Sequence, residues 1–529
     1  MKIATVRSSF PAYLLFPILF WSGSQSTAAT AAQLPPVQNS DQPAPKPLVS
    51  AEQLRAAAVD PTTRRFYEAN GWRSVWTDAT ERALQQSLGA RARHGLDRRT
   101  FIETSKPSWS AADGEVALTR AALLYAEVLA RGATNPSKLH AIYTLPRPDA
   151  DFTKPLAQAI ADGRVDTWLA SLAPQDDVYS RVSQAYLAAR ARSDGADQTK
   201  IAAGIIRVGD TDVQIPAIVA DLVGAEYLTA EQPIAAGPEA PSQPLDANRY
   251  TQSIANAVKS LQRDYGIVAD GVVGPATLEI LNLRPGDRAV ALAVALERLR
   301  WLSRSPPATR IDVNIAAAQL SYYRDGKLID SRRVIVGQPG KETPQLLAPM
   351  FRLVANPTWT IPKSIQRGEM AGVSAAYLRR HNMVRRNGWI VQQPGPSNAL
   401  GLVKFDMHDD YAIYLHDTSA PSLFGRSARY LSHGCVRVED ALGFAQRIAA
   451  DEGIAEQWQR AQTSGKYTLV ALPQQIPVRL LYQNVFVETD GTVAFRTDPY
   501  GWNAPIAKAL GFDDSRPVRA RPAAVTIGP

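Results

Sequence analysis

The sequence predicts a multidomain α+β protein: a mainly helical N-terminal scaffold, a small helical module, and a β-rich domain with a helical insertion. Three observations carry this. From about residue 51 to 240 alanine and leucine recur at helical spacing, as in Leu118, Ala121, Ala122, Tyr125 and Leu129. From 247 to 284 two short apolar stretches flank Asp270-Gly271-Val272-Val273-Gly274-Pro275, a turn that ends in a residue suited to open a helix. Beyond Pro306-Pro307 the pattern changes to β-branched and aromatic runs separated by turn residues such as Asp325-Gly326. A chain of 529 residues has room for about two to four domains with sizeable cores.

Taken in order, residues 1–31 read as a signal peptide. Lys2 and Arg7 precede an apolar stretch from Phe10 to Trp21, and Ala29-Thr30-Ala31 supplies small residues for cleavage. An uncleaved anchor is the alternative, since Pro11 and Pro17 make the apolar stretch irregular; with no cysteine near the cleavage site, a lipoprotein anchor is excluded. Residues 32–50, with Pro35, Pro36, Pro43, Pro45 and Pro47, read as an extended tether. The scaffold spans 51–240, with Phe66, Tyr67, Trp72 and Trp76 expected in its core, and a Pro/Ala-rich break covers 232–244.

In the module, 247–284, Ile254, Val258, Leu261 and Tyr265 form one apolar stripe, and Pro275 opens a second helix over Ala276–Leu283. A basic helix is expected over Asp287–Leu302, with the string Glu297-Arg298-Leu299-Arg300-Trp301. The β-rich domain spans 306–475, and its runs Ile311–Tyr323 and Leu328–Gly337 should pair as a hairpin. Its insertion, about 362–404, reads as helical from Pro362 to about Arg386. A strand-rich extension, 476–512, turns at Asp490-Gly491 and ends in a short helix near Ala504–Leu510; the basic, proline-rich tail 513–529 reads as disordered.

The net charge of +8 and a pI near 9.4 suit an anionic partner. Nucleic acid is not expected, because export argues against it and no lysine/arginine block carries interleaved aromatics. A single cysteine in an exported chain allows no internal disulfide, so stability must come from packed cores.

That cysteine, Cys435, sits in Ser432-His433-Gly434-Cys435-Val436-Arg437, nineteen residues after His416. A free thiol with a pKa near about 8.5 is mostly protonated at neutral pH and needs an imidazole or backbone dipoles to act as a nucleophile. Gly434 lets the chain turn so that amides around Cys435 converge where an oxyanion would form. Tyr411-Ala412-Ile413-Tyr414-Leu415 reads as a strand that places His416 beside this loop. A buried, inert cysteine does not call for the histidine and glycine before it. A zinc site from His408, His416, His433 and Cys435 lacks a usual ligand spacing, and neither metal nor cofactor is expected.

The span from His416-Asp417-Thr418 to Ser432-His433-Gly434-Cys435-Val436-Arg437, with fifteen residues between His416 and Ser432, resembles the signature of the L,D-transpeptidases with a YkuD-type catalytic domain. Val336-Gly337 followed by Thr343-Pro344, Asn356-Pro357-Thr358-Trp359, and Pro394-Gly395-Pro396-Ser397-Asn398-Ala399-Leu400-Gly401 extend the likeness to the large, multidomain YcbB-like periplasmic members. The likeness implies a peptidoglycan-binding-like module at 247–284 and an insertion that caps the active-site cleft. It implies cysteine acyl transfer from a donor stem tetrapeptide, with release of D-alanine, to the side-chain amine of an acceptor stem, giving 3-3 crosslinks. Cys435 would be the nucleophile and His416 the base. Asp417 would hold the His416 tautomer through its carbonyl, with its carboxylate as the alternative. His433 and Gly434 would shape the oxyanion loop. Arg437 would hold a substrate carboxylate or brace the site, or else pair with Glu439 or Asp440. Ser432 would bond locally, and Tyr414 and Trp359 would line the cleft. The partners implied are peptidoglycan stem peptides and other wall-synthesis enzymes, without nucleic acid and without a stable membrane span after signal cleavage. Hydrolysis by an L,D-carboxypeptidase, attachment of a lipoprotein to the wall, and a non-catalytic wall-binding role remain alternatives.

Overall fold

The computed structural model describes residues 49–102, 109–148, 151–193, 201–202, 204–229, 247–283 and 285–512. The signal peptide, the linker before Val49, the 232–244 break and the 513–529 tail lie outside them. Among the described residues no helix is long and apolar enough to cross a membrane.

The scaffold's helices begin where a side chain can satisfy the first N–H groups. Ser50 and Gln53 form a capping box ahead of Ala51–Ala57, Asp60 caps Pro61–Ala69, and Ser110 with Asp113 opens the long helix Ala111–Arg131. Leu118, Ala121, Ala122, Tyr125 and Leu129 of that helix are buried, which makes it the centre of the bundle. Phe66, Tyr67 and Trp76 lie in the core beside it. Trp72 is only half-buried, stacked on Tyr67 and covered by the Arg55 guanidinium at 5.0 Å from its ring.

The basic helix forms at Pro285–Trp301, but its charges do not face water. Glu297, Arg298, Arg300 and Trp301 are each no more than 1% exposed. Glu297 accepts from Thr134 N (2.8 Å), Thr134 Oγ1 (2.7 Å), Trp301 Nε1 (3.1 Å) and Arg300 Nη2 (2.7 Å). Arg300 also donates to the His94 carbonyl (2.7 Å) and the Tyr179 hydroxyl (2.9 Å). Burial alone would raise the Glu297 pKa, but the Arg300 charge and these donors hold it below its ordinary value. Arg298 points elsewhere, to Asn484 (2.7 Å) and Asn503 (2.6 Å) of the C-terminal extension. Removing one member of such a buried pair typically costs about 3–5 kcal/mol.

The small module contains the two predicted helices, Gln252–Asp264 and Pro275–Leu281. Buried Gln262 holds the turn between them, accepting from Gly271 N (2.8 Å) and donating to Asp270 Oδ1 (3.0 Å) and the Val272 carbonyl (3.0 Å). Gly271 has φ +76°, and a Cβ there would press on the Ala255 carbonyl at 3.0 Å. The same core holds Ile201, Ile206, Ile215, Ile218 and Leu222. Composition assigns these residues to the scaffold, whereas the packing boundary falls before Ile201. A helix at Ile215–Gly224 is too short to bury its apolar face alone and finds the module instead.

Fourteen strands follow Pro307: β1 (Arg310–Asn314), β2 (Gln319–Arg324), β3 (Lys327–Gly337), β4 (Leu346–Ala355), β5 (Trp359–Thr360), β6 (Met383–Arg386), β7 (Trp389–Gln392), β8 (Val403–Met407), β9 (Leu415–His416), β10 (Tyr430–Ser432), β11 (Val436–Val438), β12 (Thr468–Leu481), β13 (Val485–Val487) and β14 (Val493–Phe495). Nine form one sheet in the order β10-β3-β11-β9-β8-β4-β12-β1-β2, and β2 also pairs with β3, so the sheet curls back on itself. The predicted first run breaks at Ile315–Ala318 into β1 and β2. The Asp325-Gly326 hairpin forms as expected between β2 and β3, with φ of +50° and +77°. Helices Ala441–Asp451 and Ala455–Thr463 bring Phe444, Ile448 and Trp458 into the core of this sheet.

Two expected limits shift. β12 pairs with β4 over Thr468–Ala471 and Ile476–Leu480 and with β1 over Val478–Leu481, so the sheet does not end at 475. The β13–β14 hairpin and the helix Asn503–Ala509 pack in part on the scaffold core through Val485, Ile506, Ala507 and Leu510. The insertion is not purely helical: short helices Lys363–Arg367 and Ala375–Arg380 accompany the sheet β5-β7-β6, and Val403 already belongs to β8 of the main sheet.

Where scaffold, main sheet and extension meet, the buried His140 ring lies 4.5 Å from Trp502 and 6.2 Å from Trp301, and neither ring nitrogen has a hydrogen-bond partner. Burial and nearby Arg298 lower its pKa to about 4. The unfolded chain therefore takes up a proton below about pH 6.5 that the folded protein refuses until about pH 4, so this group's contribution to stability falls as pH drops through that window. His140→Phe is expected to keep the ring packing, remove two unsatisfied atoms worth about 1–3 kcal/mol in total burial cost, and flatten the decline of Tm between about pH 6.5 and pH 4. A Tm lowered equally at every pH would overturn this account.

Candidate active site

Strands β9 and β11 run parallel with Val436 opposite Leu415 and Arg437 opposite His416. Alternation sends Leu415 and Val436 into the core and His416 and Arg437 to the other face. One step before each strand, Tyr414 and Cys435 share that face; Val436 N donates to the Tyr414 carbonyl at 3.1 Å, and the Tyr414 and His416 rings are 5.6 Å apart. β8 adds Lys404 opposite His416. The register thus gathers Cys435, Tyr414, His416, Arg437 and Lys404 on one surface.

The run before His416 is not a strand beyond Leu415. Asp409 Oδ1 accepts from Tyr411 N (2.7 Å) and Ile413 N (3.0 Å), and Ala412 takes φ +56°. This local side-chain capping competes with strand pairing and turns the Ala412 carbonyl toward the thiol. The thiol donates to that carbonyl at 3.7 Å.

The loop carrying Cys435 is braced from several sides. Ser432 Oγ donates to the Cys435 carbonyl (2.6 Å) and accepts from Gly434 N (3.2 Å). Gly434 has φ +119°, a conformation glycine alone adopts readily. Thr343 Oγ1 donates to the Gly434 carbonyl (2.8 Å) and accepts from Gly337 N (2.8 Å). Tyr500 OH donates to the Gly337 carbonyl (2.5 Å) and accepts from Thr343 N (3.3 Å). The Gly434 N–H is spent on Ser432 and so is not open to an oxyanion.

Electrostatics keep the pair neutral. Burial and the Arg437 charge, helped by a smaller contribution from Lys404, depress His416 to about 3 against an opposing pull from the Asp417 main chain. That last contact is not a well-formed hydrogen bond, and His416 Nδ1 has no partner by strict geometry. Burial pushes the half-buried Cys435 thiol above its ordinary value, against the opposing pull of Tyr414. At neutral pH the resting state is therefore thiol beside imidazole, without a thiolate–imidazolium pair.

The remaining predicted residues fall as follows. The Asp417 carboxylate accepts from Leu402 N at 2.8 Å and packs where a Cβ on Gly401 would overlap it, so it is turned away from a triad role. Arg437 does not pair with Glu439 or Asp440, which bind Arg333 and Arg332. Its guanidinium is 9% exposed with Nε unpaired, and it exerts its charge on Cys435 and His416. His433 leaves the thiol and reaches the insertion, where its Nε2 lies 2.6 Å from Glu369 Oε1; Lys341 Nζ meets the same oxygen at 2.7 Å. Trp359 is buried in the insertion's own core, against which Tyr414 packs. A cavity of about 220 Å³ opens beside them, bounded by Arg352, Lys404, Asp406 and Tyr467. His408 stacks on Phe351 at 3.8 Å, so the four potential zinc ligands diverge.

Residues 308–468 match the family model described as the L,D-transpeptidase catalytic domain, YkuD. The chain carries a YkuD-type L,D-transpeptidase domain. Residues 61–185 match a scaffold-domain model, and residues 235–281 match one described as "Putative peptidoglycan binding domain". A Haemophilus influenzae protein named "Putative L,D-transpeptidase" is 33% identical over 220 residues, a match covering 37% of this chain and 45% of that relative. Among solved structures, an L,D-transpeptidase of Stackebrandtia nassauensis is 14% identical, covering 54% of this chain and 97% of that one with a TM-score of 0.23. One of Mycobacterium smegmatis is 15% identical, covering 33% and 58% with a TM-score of 0.18.

Thr343, Tyr500, Glu369, Lys341 and Lys404 escaped sequence reasoning as site residues. Thr343 lies in a string that the family likeness uses; Tyr500 lies in the extension beyond the YkuD match and gives no local signal. Two outcomes are expected. Alkylation of Cys435 by iodoacetamide in the free protein should keep rising with pH beyond about 8.5; a plateau below neutrality would reveal a resting thiolate. Glu369→Ala should release both Lys341 and His433, increase hydrogen exchange over 363–380, and leave the unfolding free energy within about 1 kcal/mol of wild type, as befits partly exposed charged contacts; unchanged exchange would show that the insertion is held by other contacts.

Proposed function

We propose that this protein is an exported, periplasmic peptidoglycan L,D-transpeptidase that forms 3-3 crosslinks, with Cys435 as nucleophile and His416 as general base. The observation that carries it is the β9/β11 register, which sets both side chains on one face beneath the insertion. The neutral imidazole supports the role of base, since it can accept the thiol proton as the carbon–sulfur bond forms. Cys435 Sγ attacks the carbonyl of the diamino acid at position three of the donor stem, and His416 takes its proton. The oxyanion is received by the Cys435 N–H. The carbonyl re-forms, the bond to D-alanine breaks, and the departing amine takes the proton from His416. A thioester remains. The side-chain amine of an acceptor stem attacks it, His416 removes the excess proton, and the thiolate leaves and is reprotonated, giving the new amide and free enzyme. Arg437, a buried cation near the sulfur, favours each state in which negative charge develops there.

Water as acceptor would instead give a tripeptide, and a lipoprotein lysine would give a protein–wall amide by the same chemistry. Mass analysis after incubation with purified disaccharide-tetrapeptide separates these outcomes: crosslinked dimer supports the proposal, tripeptide alone points to hydrolysis, and neither points to a wall-binding role. Cys435→Ala should abolish product, and His416→Ala should slow it roughly 10²-fold or more. If His433→Ala loses activity while His416→Ala retains it, the base has been misassigned. A carbapenem, whose strained amide replaces the scissile bond, should add once to wild type and not to Cys435→Ser; an adduct on that variant would exclude the thiol as nucleophile.

A further inference from the structure

A groove of about 960 Å³, which does not include Cys435 or His416, lies where the small module, the main sheet and the β13–β14 extension meet. Its lining includes six arginines: Arg263 from the module, Arg332 and Arg333 from β3, Arg426 and Arg429 from the segment leading into β10, and Arg496 from the extension. Three glutamates accompany them. Most of that acid is already committed. Glu439 holds Arg333, and Glu488 holds Arg496 at 3.3 Å; Arg332 is neutralised by Asp330 (2.8 Å) and Asp440 (2.6 Å).

The other three arginines are in no close ion pair, although Arg429 feels the Glu439 charge and Arg263 that of Asp264. Arg429 is half-buried and donates only to main-chain carbonyls, among them Val334 (3.1 Å) and Ala318 (3.1 Å). Arg263 is exposed and donates to Ser260 Oγ at 3.0 Å. Arg426 is exposed on the opposite wall. Between them the floor is apolar, formed by Tyr265, Ile267, Ala316, Ala317 and Tyr430. An apolar floor with two exposed guanidinium groups, Arg263 from the module and Arg426 from the catalytic domain, suits a ligand that has a carbon skeleton and several carboxylates. The volume is near the upper end of small-ligand sites, about 300–1,000 Å³, and exceeds what a lone anion needs.

We propose that this groove is a second binding site for a carboxylate-bearing peptide stem, held between the module and the main sheet by Arg263 and Arg426, with Arg429 fixing the backbone of the Arg426 segment. It rests on the reading that the wall is the substrate, and it would let the protein hold one stem while another reacts at Cys435. The module's part is then to supply one wall of the site, in addition to any grip on glycan.

The test uses the full chain and disaccharide-tetrapeptide as probe, with hydrogen exchange over 263–268 and 425–430 as readout. In Cys435→Ser protein the probe should protect both segments. Arg263→Glu with Arg426→Glu, both at exposed positions, should weaken that protection roughly tenfold or more in probe concentration. A probe with its carboxylates amidated should likewise fail to protect. The same arginine changes in otherwise wild-type protein should leave the mass of products unchanged while lowering the rate on sacculi. No protection with intact crosslinking activity would overturn the groove and spare the crosslinking proposal; protection without turnover would do the reverse. Protection by phosphatidylglycerol vesicles and not by the probe would make this a membrane-facing surface and overturn the stem assignment.

Discussion

The buried end of the helix Pro285–Trp301 is the constraint on which the remaining architecture depends. Glu297 and Arg300 fold their charges into the scaffold against Thr134, His94 and Tyr179, while Arg298 turns the other way to Asn484 and Asn503. One helical turn thereby fixes two bodies by polar contacts that have no substitute in water-poor surroundings. From the Arg298 side the fixation continues. Tyr482, under the Arg298 guanidinium, donates to Asp498 at 2.6 Å; Asp498 accepts from Trp502 N and Asn503 N; and Tyr500, in the same turn, reaches Gly337 and Thr343. Thr343 in turn holds the Gly434 carbonyl. From Arg298, on the same helix as the scaffold's polar cluster, a continuous series of hydrogen bonds closed by Tyr500 N to Tyr482 OH (3.4 Å) therefore runs to the loop that carries the thiol.

Charge organisation on the β9/β11 face decides how the thiol can work. Two cations flank His416 along one cross-strand row, and burial acts in the same direction, so protonating the imidazole in the resting protein is unfavourable. The same cations favour negative charge on the neighbouring sulfur. A resting ion pair is thus avoided, while proton transfer coupled to bond formation is supported at the moment when sulfur bonds to carbon. The Asp417 carboxylate is committed to Leu402 N and does not stabilise an imidazolium, in contrast to triads in which an acid does so.

Much of this was legible in the sequence because it is local. The Asp325-Gly326 hairpin, the Gln252–Asp264 stripe and the turn closed by Pro275 each follow from residues within one turn or strand of one another. Cys435 and His416 were legible for a different reason, since thiol, imidazole and glycine at that spacing serve little but chemistry. What sequence missed depends on distance. Glu297-Arg298-Leu299-Arg300 reads as a solvated basic stretch until partners more than a hundred residues away are known. Arg437 has two readings in the sequence, a role at the site or pairing with its acidic neighbours; those acids bind Arg333 and Arg332 instead, partners about a hundred residues away, which leaves Arg437 to act on the thiol. The run before His416 looks like a strand by composition, yet one aspartate, Asp409, captures its amides and makes it a loop.

The insertion meets the nucleophile loop at two points of different character, and this difference bears on how substrate could enter. Tyr414 packs with Trp359 in an apolar core that would be costly to open. Glu369, by contrast, touches His433 and Lys341 through partly exposed charged groups, whose separation water can compensate. Separating the Glu369 contacts would therefore cost less than separating the Trp359 contacts. Since His433 immediately precedes Gly434 and Cys435, the contact that separates at lower cost is joined directly to the loop carrying the thiol, whereas Tyr414 touches the thiol from the apolar side.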